Sequence, residues 1–339
     1  MGQMKIVTRR FSRSEWNSVV EDFADLSLLQ TWEYAEASSR TRALEVSRLL
    51  FEVDNNIVGA AQAFVRPIPF IGGGAVVINR GPLWQRNPAD PSRLAAILAA
   101  LRAYWVEQKG MYLRVSPAIK SGEVPESLFH GAGYRSAEFS RPWVSARLDL
   151  SQAPDLLRRS LRNNWAAALK KAEAAGITVE CGLEDKLFDQ IRNGFEQLHK
   201  EKAFHSTVTP AFLAAFQNIA DKSHKLWSFA AEHNGRSLGG IALARYGSVC
   251  EYLVGAVNHE GKRLNAGQLL LWSAALNAKE EGYRWLDLGG MDPENTPKGI
   301  LYFKAVLHAE PYSYAGDFEA YFPGLINKAI RSKLERSLG

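Results

Sequence analysis

The residues of this sequence best placed to do chemistry lie between Gly261 and Phe322. The run Lys298-Gly299-Ile300-Leu301-Tyr302-Phe303-Lys304 begins and ends in a base, and Lys304 follows four apolar or aromatic residues. As the end of a strand it is either a lysine pointing to solvent or a cation delivered into a cleft, and the pattern alone favours solvent. A fixed ammonium in a dry cleft could stabilise negative charge that develops on a bound substrate. Strand alternation would put Tyr302 and Lys304 on one face and Phe303 on the other, in the core. Just upstream, Asp287 precedes Gly289-Gly290 and reads as the residue that fixes that turn; Asp317 and Glu319 are open alternatives for a general base.

Other chemistries find little support. The sequence has no G-x-G-x-x-G, no G-x-x-x-x-G-K-[ST], no G-x-S-x-G and no H-E-x-x-H, the motifs of dinucleotide binding, phosphate loops, elbow serines and zincins. His199 and His205, the closest histidine pair, do not stack on one helix face and have no third ligand nearby, so no metal is expected. Cys181 and Cys250 stand alone, without disulfide or zinc spacing, which suits a reducing compartment.

The elements that must position these residues come in two similar sets. The chain has 339 residues, 23% charged and 46% hydrophobic, with a net charge of +5, as expected of a globular protein. Its length suggests roughly two domains. Neither half is basic enough to coat a nucleic-acid duplex. The longest apolar stretch, residues 94–101 between Arg93 and Arg102, is far short of the roughly 20 residues of a membrane span. In the first half, strands at 43–53 and 57–66 form a hairpin about Asp54-Asn55-Asn56, followed by a strand at 75–79, a helix at 91–109 and a strand at 111–116. A strand at 146–150 leads into a long helix at 154–175, with Leu157, Leu161, Trp165, Leu169 and Ala172 on one stripe and Arg158, Arg159, Arg162, Lys170 and Lys171 around it. Those bases are either a solvated face or a phosphate-facing stripe. Strands at 226–232 and 238–246 turn at Asn234-Gly235, and a third follows at 249–257. A helix at 265–282 has Asn265 as its cap and Gln268 completing a capping box. Short strands at 285–288 and 302–307 and an amphipathic helix at 323–338 complete the chain. The order is α+β with mixed sheets, not the alternation of a doubly wound parallel sheet.

The region that ends in Lys304 resembles the C-terminal signature of the FemABX peptidyltransferases. Ala278 to Gly282, Asp287 with Gly289-Gly290, and Gly299 with Phe303-Lys304 fall on that pattern in order. Leu29-Gln30-Thr31-Trp32, Arg80-Gly81-Pro82-Leu83-Trp84, Val115-Ser116-Pro117, Leu148-Asp149-Leu150-Ser151, Leu161-Arg162 and Lys170-Lys171-Ala172 extend the resemblance over nearly the whole chain. It implies tandem GNAT-like domains, the first made of residues 1–150 plus 316–339 and the second of 151–315. It implies transfer of an amino acid from aminoacyl-tRNA to the amine of a peptidoglycan-precursor peptide or similar acceptor, with no resident cofactor, no DNA partner and a cytoplasmic site at the inner face of the membrane.

In that reading Lys304 is catalytic, and Phe303, Tyr302, Tyr252, Arg263, Lys298, Lys202 and Arg162 contact substrate. The sequence departs from the family at Glu33-Tyr34-Ala35-Glu36, which has no base, and at Lys200-Glu201-Lys202-Ala203-Phe204, which replaces Arg-Asp-Gly-Phe; the charged coiled-coil arm of some members is also missing. The alternative donor is acyl-CoA, since Arg263-Leu264-Asn265-Ala266-Gly267-Gln268 approximates the [QR]-x-x-G-x-[GA] loop that grips a pyrophosphate, although its glycine is displaced and it ends in glutamine. A third possibility, a non-catalytic binding module, would leave Lys304 dispensable.

Overall fold

The computed structural model describes residues 3–332 except 69–72, 87–89, 141, 203–206, 295, 306, 308, 325–326 and 328. His205, the side chain of Lys202 and much of the expected helix at 323–338 lie outside the described residues. The strands are β1 (Lys5–Thr8), β2 (Glu45–Val53), β3 (Asn56–Pro67), β4 (Gly74–Asn79), β5 (Met111–Ser116), β6 (Arg135–Ser136), β7 (Val144–Asp149), β8 (Thr178–Gly182), β9 (Trp227–His233), β10 (Arg236–Tyr246), β11 (Val249–Val257), β12 (Trp285–Asp287), β13 (Glu310–Ser313) and β14 (Phe318–Ala320). They form two seven-stranded mixed sheets, so the α+β tandem architecture expected from the sequence is what the chain adopts.

The units part at Trp143/Val144 and again at Tyr312/Ser313, rather than after residues 150 and 315. Hydrogen bonding explains both positions. β7 pairs with β12 and so belongs to the second sheet, whereas the Ser313 carbonyl accepts from Ser121 N–H and Tyr314 N–H donates to the Trp143 carbonyl, tying that stretch to the first unit.

In the first unit the strand order is β1-β2-β3-β4-β5-β14-β6, with β4 and β5 parallel. The helix Pro91–Arg102 makes the crossover between them. Pro91 sits at its first turn, Asp90 accepts from Ser92 N–H as the cap, and Leu94, Ile97, Leu98 and Leu101 are fully buried against the sheet. β14 closes the core through Phe318, stacked on Phe129 at 3.8 Å between ring centroids.

The second unit runs β13-β7-β12-β11-β10-β9-β8, with β11 and β12 parallel and the helix Ala266–Glu280 crossing between them. The expected hairpins form where residues tolerating positive φ were available: Asp54 and Asn55 at φ 49° and 61°, Asn234 and Gly235 at 50° and 74°. Leu157, Leu161, Trp165, Leu169 and Ala172 are all buried, as their spacing required.

Three local expectations are corrected. The single helix at 154–175 is two, Pro154–Ser160 and Asn163–Ala174, because Leu161 and Arg162 are extended at ψ 138° and 145°. Ser160 Oγ donates to the Leu157 carbonyl at 2.8 Å, a local bond that takes an acceptor the helix would otherwise use. Asn265 does not cap with its side chain; it is left-handed at φ 60° and supplies its backbone carbonyl to Gln268 N–H. Residues 302–305 of the stretch read as a strand at 302–307 are instead the end of a helix, Lys298–Ala305, begun where Ile300 and Leu301 N–H donate to the Pro297 carbonyl. In so short an apolar run the two periods could not be told apart.

Candidate active site

The second unit's sheet opens at its centre. β11 and β12 pair in parallel over only Val249–Glu251 and Trp285–Asp287, yet β11 continues to Val257. A bulge on β11 sharpens the divergence: Leu243 pairs with Tyr252 and Ala242 with Val254, leaving Leu253 unmatched. The chain leaving β12 turns through Gly289, at φ 67°. A Cβ on Gly289 would come within 2.6 Å of the Tyr252 carbonyl oxygen, so only glycine lets the turn lie this close to β11.

The helix Lys298–Ala305 brings Lys304 into this opening. Correcting the solvent-facing strand, Lys304 is 6% exposed. Its Nζ donates to the Gly290 carbonyl at 3.0 Å and lies 5.1 Å from the ring centroid of Tyr252, in cation–π range. No carboxylate lies within 4.0 Å of it among the described residues, so its other two N–H groups are not tied into an ion pair. Burial pulls the Lys304 ammonium down to about 8, while the nearby charges of Asp287 and Glu251 push it back up. Burial also pushes the Tyr252 hydroxyl up to about 12, keeping it neutral. The ammonium is therefore mostly charged at neutral pH, poorly hydrated and held by one carbonyl. It is a donor ready for an oxyanion.

Around this centre Asp287 accepts from Gly289 N–H at 2.8 Å and from Tyr312 OH at 2.5 Å, and Ser145 Oγ lies 2.7 Å from the same carboxylate. Glu251, also buried, accepts from Tyr246 OH at 2.7 Å. Sequence reading missed Ser145, Glu251 and Tyr312. Glu251 had a signal, an acid in the middle of an apolar strand, which must find partners or a function. Ser145 and Tyr312 had none, because only strand pairing brings them to Asp287.

The other expected contacts fall into two groups. Phe303 is half-buried, packs 6.4 Å from the Trp165 ring, and lies 3.6 Å from where a Cβ on Gly267 would be, at the start of the helix Ala266–Glu280. Tyr302 is 61% exposed on the outer side of its helix, with its hydroxyl accepting from Asn164 Nδ2 at 2.5 Å. Lys298, Arg162 and Arg263 are exposed, Arg162 just before the helix Asn163–Ala174. The geometry therefore joins Lys304 to Tyr252, seats half-buried Phe303 against Trp165 instead, and leaves Lys298, Arg162 and Arg263 on the surface. Asp317 and Glu319, considered as bases, are committed in the first unit: Asp317 pairs with Arg114, and Glu319 accepts from Tyr112 OH at 2.6 Å and faces Arg331 Nε at 3.3 Å.

Comparison with known proteins places these features in context. Residues 159–304 match the family described as "Acetyltransferase (GNAT) domain". No curated protein matches the sequence. Among solved structures, the chain is similar in fold to FemX, with a TM-score of 0.80 at 15% identity over 97% of this chain and 100% of that one. It is also similar to a conserved protein of unknown function from Bacteroides thetaiotaomicron, with a TM-score of 0.62 at 11% identity over 94% of this chain and all of that one. A tandem GNAT protein from the clavulanic acid biosynthesis pathway, solved without AcCoA, gives 0.54 at 13% identity over 95% of this chain and 100% of its own. Among the described residues no helix is long and apolar enough to cross a membrane.

Proposed function

We propose that the chain, whose residues 159–304 match a GNAT domain and whose fold is similar to FemX, is an acyltransferase that transfers an amino acid from aminoacyl-tRNA to the amine of a peptidoglycan-precursor peptide or a similar acceptor. The observation that carries this reading is the buried, incompletely bonded ammonium of Lys304 where β11 and β12 diverge. The acceptor amine attacks the ester carbonyl, the C–N bond forms as negative charge gathers on oxygen, and the C–O bond to the ribose then breaks as the amine's proton passes to the departing ribose oxygen. Lys304 donates to the oxygen that carries the charge, and its low-dielectric surroundings strengthen that hydrogen bond. No covalent enzyme intermediate is required.

The choice of donor rests on the start of the helix Ala266–Glu280. An acyl-CoA pyrophosphate would need open backbone amides there. Instead Ala266 is fully buried, Gln268 carries a long side chain where the loop motif has glycine or alanine, and Phe303 packs beside Gly267. These features favour an ester donor that approaches from outside. Arg159, Arg162, Lys170, Lys171 and Lys298, all exposed, suit a transient, salt-sensitive encounter with tRNA phosphates. The setting that fits is the cytoplasm, at the inner face of the membrane where such precursors are presented, with at most peripheral contact.

The test offers the purified full chain radiolabelled aminoacyl-tRNA and acetyl-CoA in parallel, each with a panel of peptide, sugar and small amines. Label should pass from the aminoacyl-tRNA to a peptide amine and be lost with Lys304→Met. Transfer from acetyl-CoA alone would replace the donor, and full activity in Lys304→Met would remove the catalytic assignment.

A further inference from the structure

Asp287 ends β12 beside the Gly289-Gly290 turn, and donors from three segments converge on its carboxylate. Oδ1 accepts from the Gly289 amide at 2.8 Å and lies 2.7 Å from Ser145 Oγ on the neighbouring β7. Ser145 Oγ is also 2.8 Å from the Gly289 carbonyl, so its one hydroxyl proton serves either the carboxylate or the turn. Oδ2 accepts from Tyr312 OH on β13 at 2.5 Å. The carboxylate is buried, 7% exposed. With both oxygens committed, it is poorly placed to act as a proton acceptor. The turn it fixes carries the Gly290 carbonyl that anchors Lys304.

We propose that Asp287 is the positioning residue of Lys304: it holds the turn that presents the Gly290 carbonyl, and it supplies the principal negative charge against which the buried ammonium is kept. The role extends the reading of Lys304 as the oxyanion donor. Three groups face the ammonium from the strands around it: Asp287 on β12, Glu251 on β11, and the neutral Tyr252, which presents its ring. Of the two acids Asp287 acts more strongly on Lys304, and both oppose the downward pull of burial. Without Asp287 the lysine would lose its proton nearer neutrality and its anchor would loosen.

The test reads the lysine directly. In full-length protein labelled with carbon-13 lysine, the Lys304 Cε resonance is identified by its absence from Lys304→Met and titrated from neutral to strongly alkaline pH. Asp287→Asn retains an acceptor for Gly289 and Ser145 while removing the charge. It should move the Lys304 midpoint to lower pH by about one unit or more, with little change in melting temperature. Glu251→Gln should move it the same way by less. The alkaline limb of transfer from radiolabelled aminoacyl-tRNA should follow the midpoint in each variant, whereas Asp287→Ala should also lower the melting temperature, since it removes the turn's anchor. An unchanged midpoint in Asp287→Asn, or a larger shift in Glu251→Gln, overturns the role given to Asp287. A shifted midpoint with an unshifted transfer profile upholds that role and sinks the catalytic reading of Lys304 instead.

Discussion

The two units arrange their strands alike but treat the centre of the sheet in opposite ways. In each, four antiparallel strands lead to a parallel pair, β4 with β5 and β11 with β12. In the first unit the pair is joined through six residues on each strand, Gly74–Asn79 against Met111–Ser116. Where β3 and β4 part, the gap is closed by Gln30, which is fully buried; its Nε2 donates to the carbonyls of Asn79 at 2.8 Å and Gln62 at 3.1 Å, and its Oε1 accepts from Gln62 N–H at 2.8 Å. In the second unit the pair separates after three residues, and Lys304 enters the opening with one hydrogen bond. A glutamine with its nearby partners satisfied serves stability, whereas a buried cation with one hydrogen bond among the described residues costs stability, a cost that the catalytic role proposed for Lys304 accounts for.

Substitution can break that contrast, the largest effect coming from Lys304→Met. Transfer should fall by about a hundredfold or more, with a melting temperature at neutral pH equal to or above that of the parent, since a desolvated charge has been removed. A marked loss of stability by calorimetry would make Lys304 structural and erase the difference between the units. Gln30→Ala should do the reverse, lowering stability in urea unfolding by about 3 kcal/mol by orphaning backbone groups, with turnover per folded molecule preserved. Loss of turnover without loss of stability would give the first unit a catalytic role.

The pH dependence sharpens the same point. Because the folded Lys304 sits near 8 and an unfolded lysine near 10.5, the unfolded state binds the extra proton between those values. Stability relative to Lys304→Met should therefore rise with pH across that window, by about 3 kcal/mol in total. Transfer should fall over the lower part of the window as the ammonium is lost. Parallel urea titrations and rate–pH profiles would check both slopes; activity that increased through pH 8 would make the neutral amine the working form. The smallest effect is expected at the surface. Arg162→Ala should leave stability and kcat alone and raise KM for aminoacyl-tRNA about twofold to fivefold at low salt, with the difference vanishing at high salt.

Much of the framework was legible because local chemistry dictated it. Asp54-Asn55 and Asn234-Gly235 can adopt positive φ and so announced their hairpins. The stripe from Leu157 to Ala172 announced its buried face even though the helix beneath it is interrupted at Leu161. The candidate site was half legible. Lys304 was found by motif, but its depth was misread, because alternation in a strand and burial in a helix assign the same short run to different faces. Asp287 was seen as a turn-former. Its link to Lys304 depends on β7, β12 and β13 lying side by side, and no local pattern encodes that adjacency.

The strand β14 has a consequence for the order in which this chain can be built. Phe318–Ala320 completes the first sheet between β5 and β6, yet on a ribosome it emerges only after the whole of Val144–Tyr312. Until then β5 shows an unpaired edge and Phe129 lacks its stacking partner. The second unit, contiguous in the chain, can close first, while the earlier-made unit must wait for its last strand. A chain ended just short of Phe318 and released should therefore hold a folded second unit and a sticky, half-built first one, and it is to the first that chaperones should bind.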